Sequence, residues 1–230
     1  VVLQILFTIF FDEVVNILNK EKIFYWIGQG SLLGIIRDNK LIEWDHDIDF
    51  CLWSHENIKS NFIKLLEDKG FKYRRDLGFG EKYDQMSFDK KGGRRVDLNF
   101  YQIGKTENGE EIAFTKWGYP RNFLMRLLDA ISYAKIYKSK YKLIINNLFI
   151  FEKLAQNLKT YLIKKKLFYK VVGYKQPMRL LKKFKKINFD RLEFYIPSDT
   201  VDYIEYIYGE NWKIPQKKFS WWKIKNLKYE

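Results

Sequence analysis

Three aspartates at alternate positions, Asp45, Asp47 and Asp49, follow the small-residue turn Gly28-Gln29-Gly30-Ser31. On an extended strand, side chains alternate faces, so the three carboxylates project together while Ile48 and Phe50 point into a core. Three like charges on one face repel one another, and a folded chain accommodates them only with positive charge in their midst. A hard divalent cation that takes oxygen ligands, Mg²⁺ or Mn²⁺, meets that need. A solvated edge strand or acidic loop is the competing reading. The apolar residues interleaved in register with the acids, and the nearby Gly-Ser turn, favour the metal.

A further acid belongs to the same argument. Within Val96-Asp97-Leu98-Asn99-Phe100, Asp97 is a lone carboxylate in an apolar run, and a carboxylate in a core strand needs a partner. Pairing with Arg94 or Arg95 is one solution. The alternative is that strand pairing carries Asp97 to Asp47 and Asp49, where it becomes another metal carboxylate.

The surrounding pattern predicts an α+β fold. A helix over residues 3–19 leads to a short strand over 24–27, a helix capped by Ser31 and closed at Asp38-Asn39, the aspartate strand over 46–52, and a helix capped by Ser54 that ends at Gly70. Strands at 83–88 and 94–103 flank Lys90-Lys91-Gly92-Gly93, and Asn108-Gly109 marks a second hairpin, so the sheet continues antiparallel or mixed. From Pro120 to Asp190 the pattern reads as helical and basic. Tyr195 to Asp199 reads as a loop into a helix that stops at Gly209, and Trp212, Pro215, Trp221 and Trp222 suggest a packed irregular end. The expected division is a catalytic core over residues 1–118 and a helical, basic region over 119–230 packed on it.

Charge is uneven. The chain carries +14 overall, and Phe151 to Asp190 holds twelve Lys or Arg against two acids. Such a block attracts polyanions or an anionic membrane surface, although a solvated helix face has the same composition. No nucleic-acid-binding fingerprint accompanies it, so specific nucleic-acid binding is not expected. The single cysteine, Cys51, excludes a disulfide framework within the chain, and neither His46 nor His55 has zinc-ligand spacing. The apolar opening, Val1 to Phe11, falls far short of the roughly 20 residues of a spanning helix and lacks the basic start of a signal peptide. The location stays open: cytoplasmic or membrane-peripheral for a bacterial or viral chain, the Golgi lumen for a eukaryotic chain anchored upstream.

Gly30-Ser31 followed by Asp47-Ile48-Asp49, with a later acid on another strand, resembles the nucleotidyltransferase (polymerase-β-like) superfamily. More narrowly, Gly30-Ser31-Leu32-Leu33-Gly34-Ile35-Ile36-Arg37 with Ile42-Glu43-Trp44-Asp45-His46-Asp47-Ile48-Asp49 is similar to the LicD/fukutin family, as is Tyr208-Gly209-Glu210 in the tail. Gln29 departs from the glycine or serine usual there, and residues 120–190 match nothing in the family pattern.

The resemblance implies a nucleotidyltransferase fold and transfer of a phospho-alcohol, such as phosphocholine or ribitol phosphate, from a CDP-linked donor to a glycan hydroxyl. It implies cations held by Asp47 and Asp49, with Asp97 completing a metal shell or accepting the hydroxyl proton. Asp45 would be a ligand or support one. The N–H groups of Gly30 and Ser31 would hold a donor phosphate. Arg37 would add a phosphate contact, its alternative being a solvent-exposed helix end. Two other readings stay open: nucleotidyl transfer from NTP with pyrophosphate release, and a polyanion- or membrane-binding protein whose carboxylates are structural.

Overall fold

The computed structural model describes residues 2–55, 58–73, 84–120, 122–132, 134, 141–165, 167 and 169–219. Helix α1 (Val2–Lys20) enters strand β1 (Trp26–Ile27), helix α2 (Gln29–Asp38) and strand β2 (Asp47–Trp53). Helix α3 (Ile58–Glu67) and strands β3 (Lys72–Tyr73), β4 (Gln85–Asp89), β5 (Arg95–Lys105) and β6 (Glu111–Pro120) follow. Helices α4 (Phe123–Ile131), α5 (Lys142–Asn147) and α6 (Glu152–Lys164) precede β7 (Tyr169–Pro177), β8 (Phe184–Phe189), β9 (Leu192–Pro197) and helix α7 (Thr200–Tyr208).

The result is a mixed sheet flanked by helices. Its order is β3-β4-β5-β2-β1-β9-β8, with β6 leaving β5 as an arm that pairs with β7. Both expected hairpins form: β4 pairs antiparallel with β5, and β5 with β6 across Gly109, whose φ of 82° is the left-handed turn position that favours glycine. Among the described residues no helix is long and apolar enough to cross a membrane.

Strand β2 lies between β1 and β5, and its alternation is the one the sequence predicts. Ile48 and Phe50 are fully buried. Helix α1 covers that side with Phe11, Val14, Val15 and Leu18, one helical stripe, and the rings of Phe11 and Phe50 stack with centroids 5.8 Å apart. A charge at Ile48 would face this layer without a partner. Ile48→Asp is therefore expected to cost on the order of 4 kcal/mol from lost packing and an uncompensated carboxylate. Thermal melting should drop by about 10 °C or more, or the chain should fail to fold; an unchanged melting temperature would contradict the facing.

Two expectations are corrected. The helical reading of residues 120–190 holds through α6 and fails after it, since β7, β8 and β9 are strands and Tyr195 lies within β9. Strand β8 puts Lys185 and Lys186 outward, and β7 has the arm strand β6 as its partner. Edge strands carry such lysines because charge there blocks further pairing, so a basic composition conceals the two-residue period. The second correction is Ser31. Helix α2 begins at Gln29 with Gly28 as N-cap, so Ser31 lies inside the first turn. Its hydroxyl instead accepts the backbone N–H of Asp49 at 2.9 Å, fastening helix to strand. Asn39 closes α2 with φ 52°, as expected, and Gly209 ends α7. Residues 56–57, which separate Ser54 from α3, and Trp221 and Trp222 lie outside the described residues, as does the expected start of β4 at Tyr83.

Candidate active site

Strands β2 and β5 run parallel with Asp47 beside Arg95, Asp49 beside Asp97 and Cys51 beside Asn99. Equal register on neighbouring strands puts alternate residues of both on one face. Asp47, Asp49 and Asp97 therefore meet, as the sequence pattern anticipates. Asp45 precedes the strand, in a turn where its N–H bonds the Ile42 carbonyl at 3.2 Å, yet it lines the same cleft. A methyl added at Gly30 would fall on the Asp45 carboxylate, so a larger residue there would push that side chain aside.

The cleft has a volume of about 570 Å³. The aspartates and the aromatic residues Trp44, Tyr208, Trp212 and Phe219 line it together. The rings of Tyr208 and Phe219 meet at a tilt with centroids 4.9 Å apart, and the Lys217 ammonium sits 5.4 Å from the centre of the Trp44 ring. Arg37 also lines the cleft, and it is not the exposed helix end of the alternative reading. Its side chain is 6% exposed, its Nε and Nη2 donate to Asp38 at 2.9 and 2.7 Å, and its Nη1 donates to the Trp212 carbonyl at 3.4 Å. It thus ties α2 to the tail.

Arg95 supplies positive charge among the carboxylates. Its Nη2 pairs with Asp47, and its Nε lies 3.0 Å from Asp97 Oδ1 and 3.2 Å from Oδ2. The alternative pairing of Asp97 with an arginine is thus realised alongside the clustering. Asn99 Nδ2 donates to Asp49 Oδ1 at 3.1 Å, and Gln85 Nε2 to Asp97 Oδ2 at 3.3 Å. Sequence reasoning passed over Asn99 and Gln85. Asn99 was recoverable, because it shares the two-residue period of Arg95 and Asp97; Gln85 has no such signal before the register of β4 is known.

The protonation pattern reflects the crowding. Burial, then the charges of Asp47, Asp97 and Asp45, push the Asp49 carboxyl well above the usual carboxylate range. Burial and Asp47 raise Asp45 to about 7, and the protonated Asp45 donates to Asp47. Burial also acts upward on Asp47, but the Arg95 charge and the bonds from Asp45 and Arg95 outweigh it and hold Asp47 low. Neutralisation is thus divided between a guanidinium and retained protons.

As a donor set, Asp47, Asp49 and Asp97 suit a hard divalent cation: all oxygen, on adjacent strands, at one face. Their present spacing does not form a cage, since among the described residues no three carboxylate, imidazole or thiolate groups converge on a metal position. Two of the acids are engaged by Arg95 instead.

Gln29 sets the angle of the turn. Its φ is 50°, in the left-handed region where glycine is at ease, and its buried side chain donates to the Tyr101 hydroxyl at 2.8 Å. The departure from a small residue therefore carries backbone strain of about 1 kcal/mol or more, offset by a buried hydrogen bond.

Comparison with known proteins agrees with this geometry. The family profile described as "LicD/FKTN/FKRP, nucleotidyltransferase domain" matches residues 22–129. The chain is 22% identical over 204 residues to ribitol-5-phosphate transferase FKTN of Macaca fascicularis and of Homo sapiens, covering 89% of this chain and 32% of each relative. It is 30% identical over 114 residues to ribitol 5-phosphate transferase FKRP of Mus musculus, covering 49% of this chain and 20% of that protein. The chain thus spans about a third or less of the length of these relatives. The Gly-Ser turn and all four aspartates lie inside the stretch, residues 22–129, that is similar to the LicD/fukutin family.

Proposed function

We propose that this chain transfers a phospho-alcohol group, phosphocholine, ribitol phosphate or a similar alcohol phosphate, from a CDP-linked donor to a hydroxyl of a glycan. The observation that carries the reading is the parallel register that sets Asp49 beside Asp97 and Asp47 beside Arg95, next to the start of α2. The names of the relatives, ribitol-phosphate transferases, favour this class of donor.

In this reading Asp47, Asp49 and Asp97 hold Mg²⁺ or Mn²⁺, with Asp45 supporting Asp47 through its hydrogen bond. The cation, when bound, neutralises diphosphate oxygens and lowers the barrier to displacement at phosphorus. The N–H groups of Gly30 and Ser31 belong to the first turn of α2, where helical partners are lacking, and they receive a donor phosphate. Arg37 adds charge at the cleft wall, its longest bond being the one to Trp212. Arg95, which lines the same cleft, would add positive charge there once displaced from the acids. A carboxylate oxygen of Asp97 takes the proton of the attacking hydroxyl as the new oxygen–phosphorus bond forms; the bond to the CMP oxygen breaks, and CMP leaves with that electron pair.

The test is product identity. The protein is incubated with Mg²⁺ and, separately, CDP-choline, CDP-ribitol, CDP-glycerol and the four NTPs. CMP released by the wild type but not by Asp47→Ala is the expected result. Pyrophosphate from an NTP, without CMP from any CDP-alcohol, would instead establish nucleotidyl transfer. Vesicle or glycan binding by Asp47→Ala equal to wild type, with no nucleotide product from either, would establish a binding protein.

A further inference from the structure

Helices α4, α5 and α6 are built inside out. Their interior is mostly small or polar: Ala130, Ala134 and Ala155 are buried with one large apolar residue, Ile145, against which Ile131 and Leu148 pack, and Lys159 is 1% exposed and pairs with Asp129. Further polar bonds close the interior, from Gln156 to the Ser132 carbonyl at 2.7 Å and from Asn146 to the Ala134 carbonyl at 2.8 Å. Their exterior carries the large apolar side chains. Phe123 is 74% exposed, Leu143 76%, Ile144 65%, Ile150 67% and Leu154 67%. In water this arrangement forgoes the burial that ordinarily holds helices together. Small residues and polar pairs within, and bulky aliphatic groups without, is how helices pack when the surrounding solvent is lipid.

Charge selects the occupant. Among the described residues of this region the exposed charges are Arg126, Lys142, Lys153 and Lys165, Glu152 is half-buried, and Asp129 and Lys159 are spent on each other. A second copy of this chain would oppose this cationic surface with an identical one. An anionic bilayer matches both the apolar tips and the lysines around them. We propose that α4–α6 form a membrane-seating surface, with Phe123, Leu143, Ile144, Ile150 and Leu154 entering the interface of an anionic bilayer and Lys142 and Lys153 meeting its headgroups. The helices lie in the interface and do not span it, none being long enough. The β6–β7 arm joins them to the cleft: its ladder ends at Pro120 opposite Tyr169, and Tyr174, which lines the cleft, is five residues or about 17 Å along β7. Seating would hold the reaction site near the lipid surface.

The experiment is sedimentation of the full chain with vesicles of phosphatidylcholine alone and of phosphatidylcholine with phosphatidylserine, read without any nucleotide, so that its outcome is separate from that of the transferase assay. The wild type should pellet with the anionic vesicles and weakly or not at all with the neutral ones. The Leu143→Glu/Ile144→Glu double variant should partition about tenfold less or weaker still, with its melting temperature unchanged because both side chains are exposed. Lys142→Glu/Lys153→Glu should reduce the preference for phosphatidylserine and leave the remaining binding insensitive to salt. Failure of the wild type to bind anionic vesicles overturns the proposal. So does vesicle binding by the leucine–isoleucine variant equal to wild type, or a dimer of the wild type that this variant dissociates while vesicles capture neither.

Discussion

Asp49→Asn is expected to abolish turnover while leaving the fold firmer than before. The catalytic loss should be at least about 10³-fold at saturating Mg²⁺, equivalent to roughly 4 kcal/mol of transition-state stabilisation. An amide has the shape of the carboxylate but not the charge that neutralises a cation. It keeps an oxygen for the Asn99 side chain, and the backbone N–H still reaches Ser31, so the local structure should survive. Stability should move the other way. Burial and three neighbouring carboxylates raise Asp49 in the folded chain, so the folded state holds its proton more tightly than the unfolded state does. Such a group stabilises fully below its unfolded value near 3.8, and that stability is lost as pH rises through the folded value. Asp45, raised to about 7, adds a loss of the same sign over the window from about 4 to 7. Without metal, Asp49→Asn should therefore melt above the wild type at neutral pH, and the gap should close on acidification. Turnover near that of the wild type would refute the assignment of the site.

Arg95→Gln should produce the opposite stability effect, and a divalent cation should repair it. Arg95 is the cation held against both Asp47 and Asp97. Its removal leaves crowded carboxylates with only proton uptake to relieve them, and breaking a partly buried ion network of this kind costs about 3–5 kcal/mol. In metal-free buffer the variant should melt roughly 10 °C below the wild type. Added Mg²⁺ should raise its melting temperature by more than it raises that of the wild type, because no guanidinium competes for the oxygens. Thermal melts of both proteins across a Mg²⁺ titration read this directly. An equal or smaller shift in the variant would mean that arginine and cation do not share one position.

The division between what was legible in the sequence and what was not has a physical basis. Asp47, Ile48, Asp49 and Phe50 declare their facing because one side of β2 is a closed aromatic core and the other a polar cleft, so the alternation is sharp. Asp97 was legible for a different reason, as a lone carboxylate in an apolar run. Asp45 escaped the strand rule, since the chain turns at Ile42 and reaches the cleft by a loop. The role of Arg95 was visible only as one possible pairing: a sequence shows that positive charge is required but not whether side chain, proton or metal provides it. Strands β7 and β8 were hidden by lysines suited to an edge; helices α4–α6 were legible as helices, but the outward direction of their apolar side chains was not.

The place of β1 has consequences during synthesis. This two-residue strand is flanked by β2 on one side and on the other by β9, with Trp26 beside Tyr195. A nascent chain on the ribosome therefore exhibits an unclosed hydrogen-bonding edge at Trp26 until residues near 195 emerge. The aromatic wall, which needs residues 208–219, comes later still. Contacts so distant along the chain close slowly. An unpaired edge beside apolar residues invites aggregation in the interval, so chaperone holdases are expected to engage this protein before its acid-lined cleft exists.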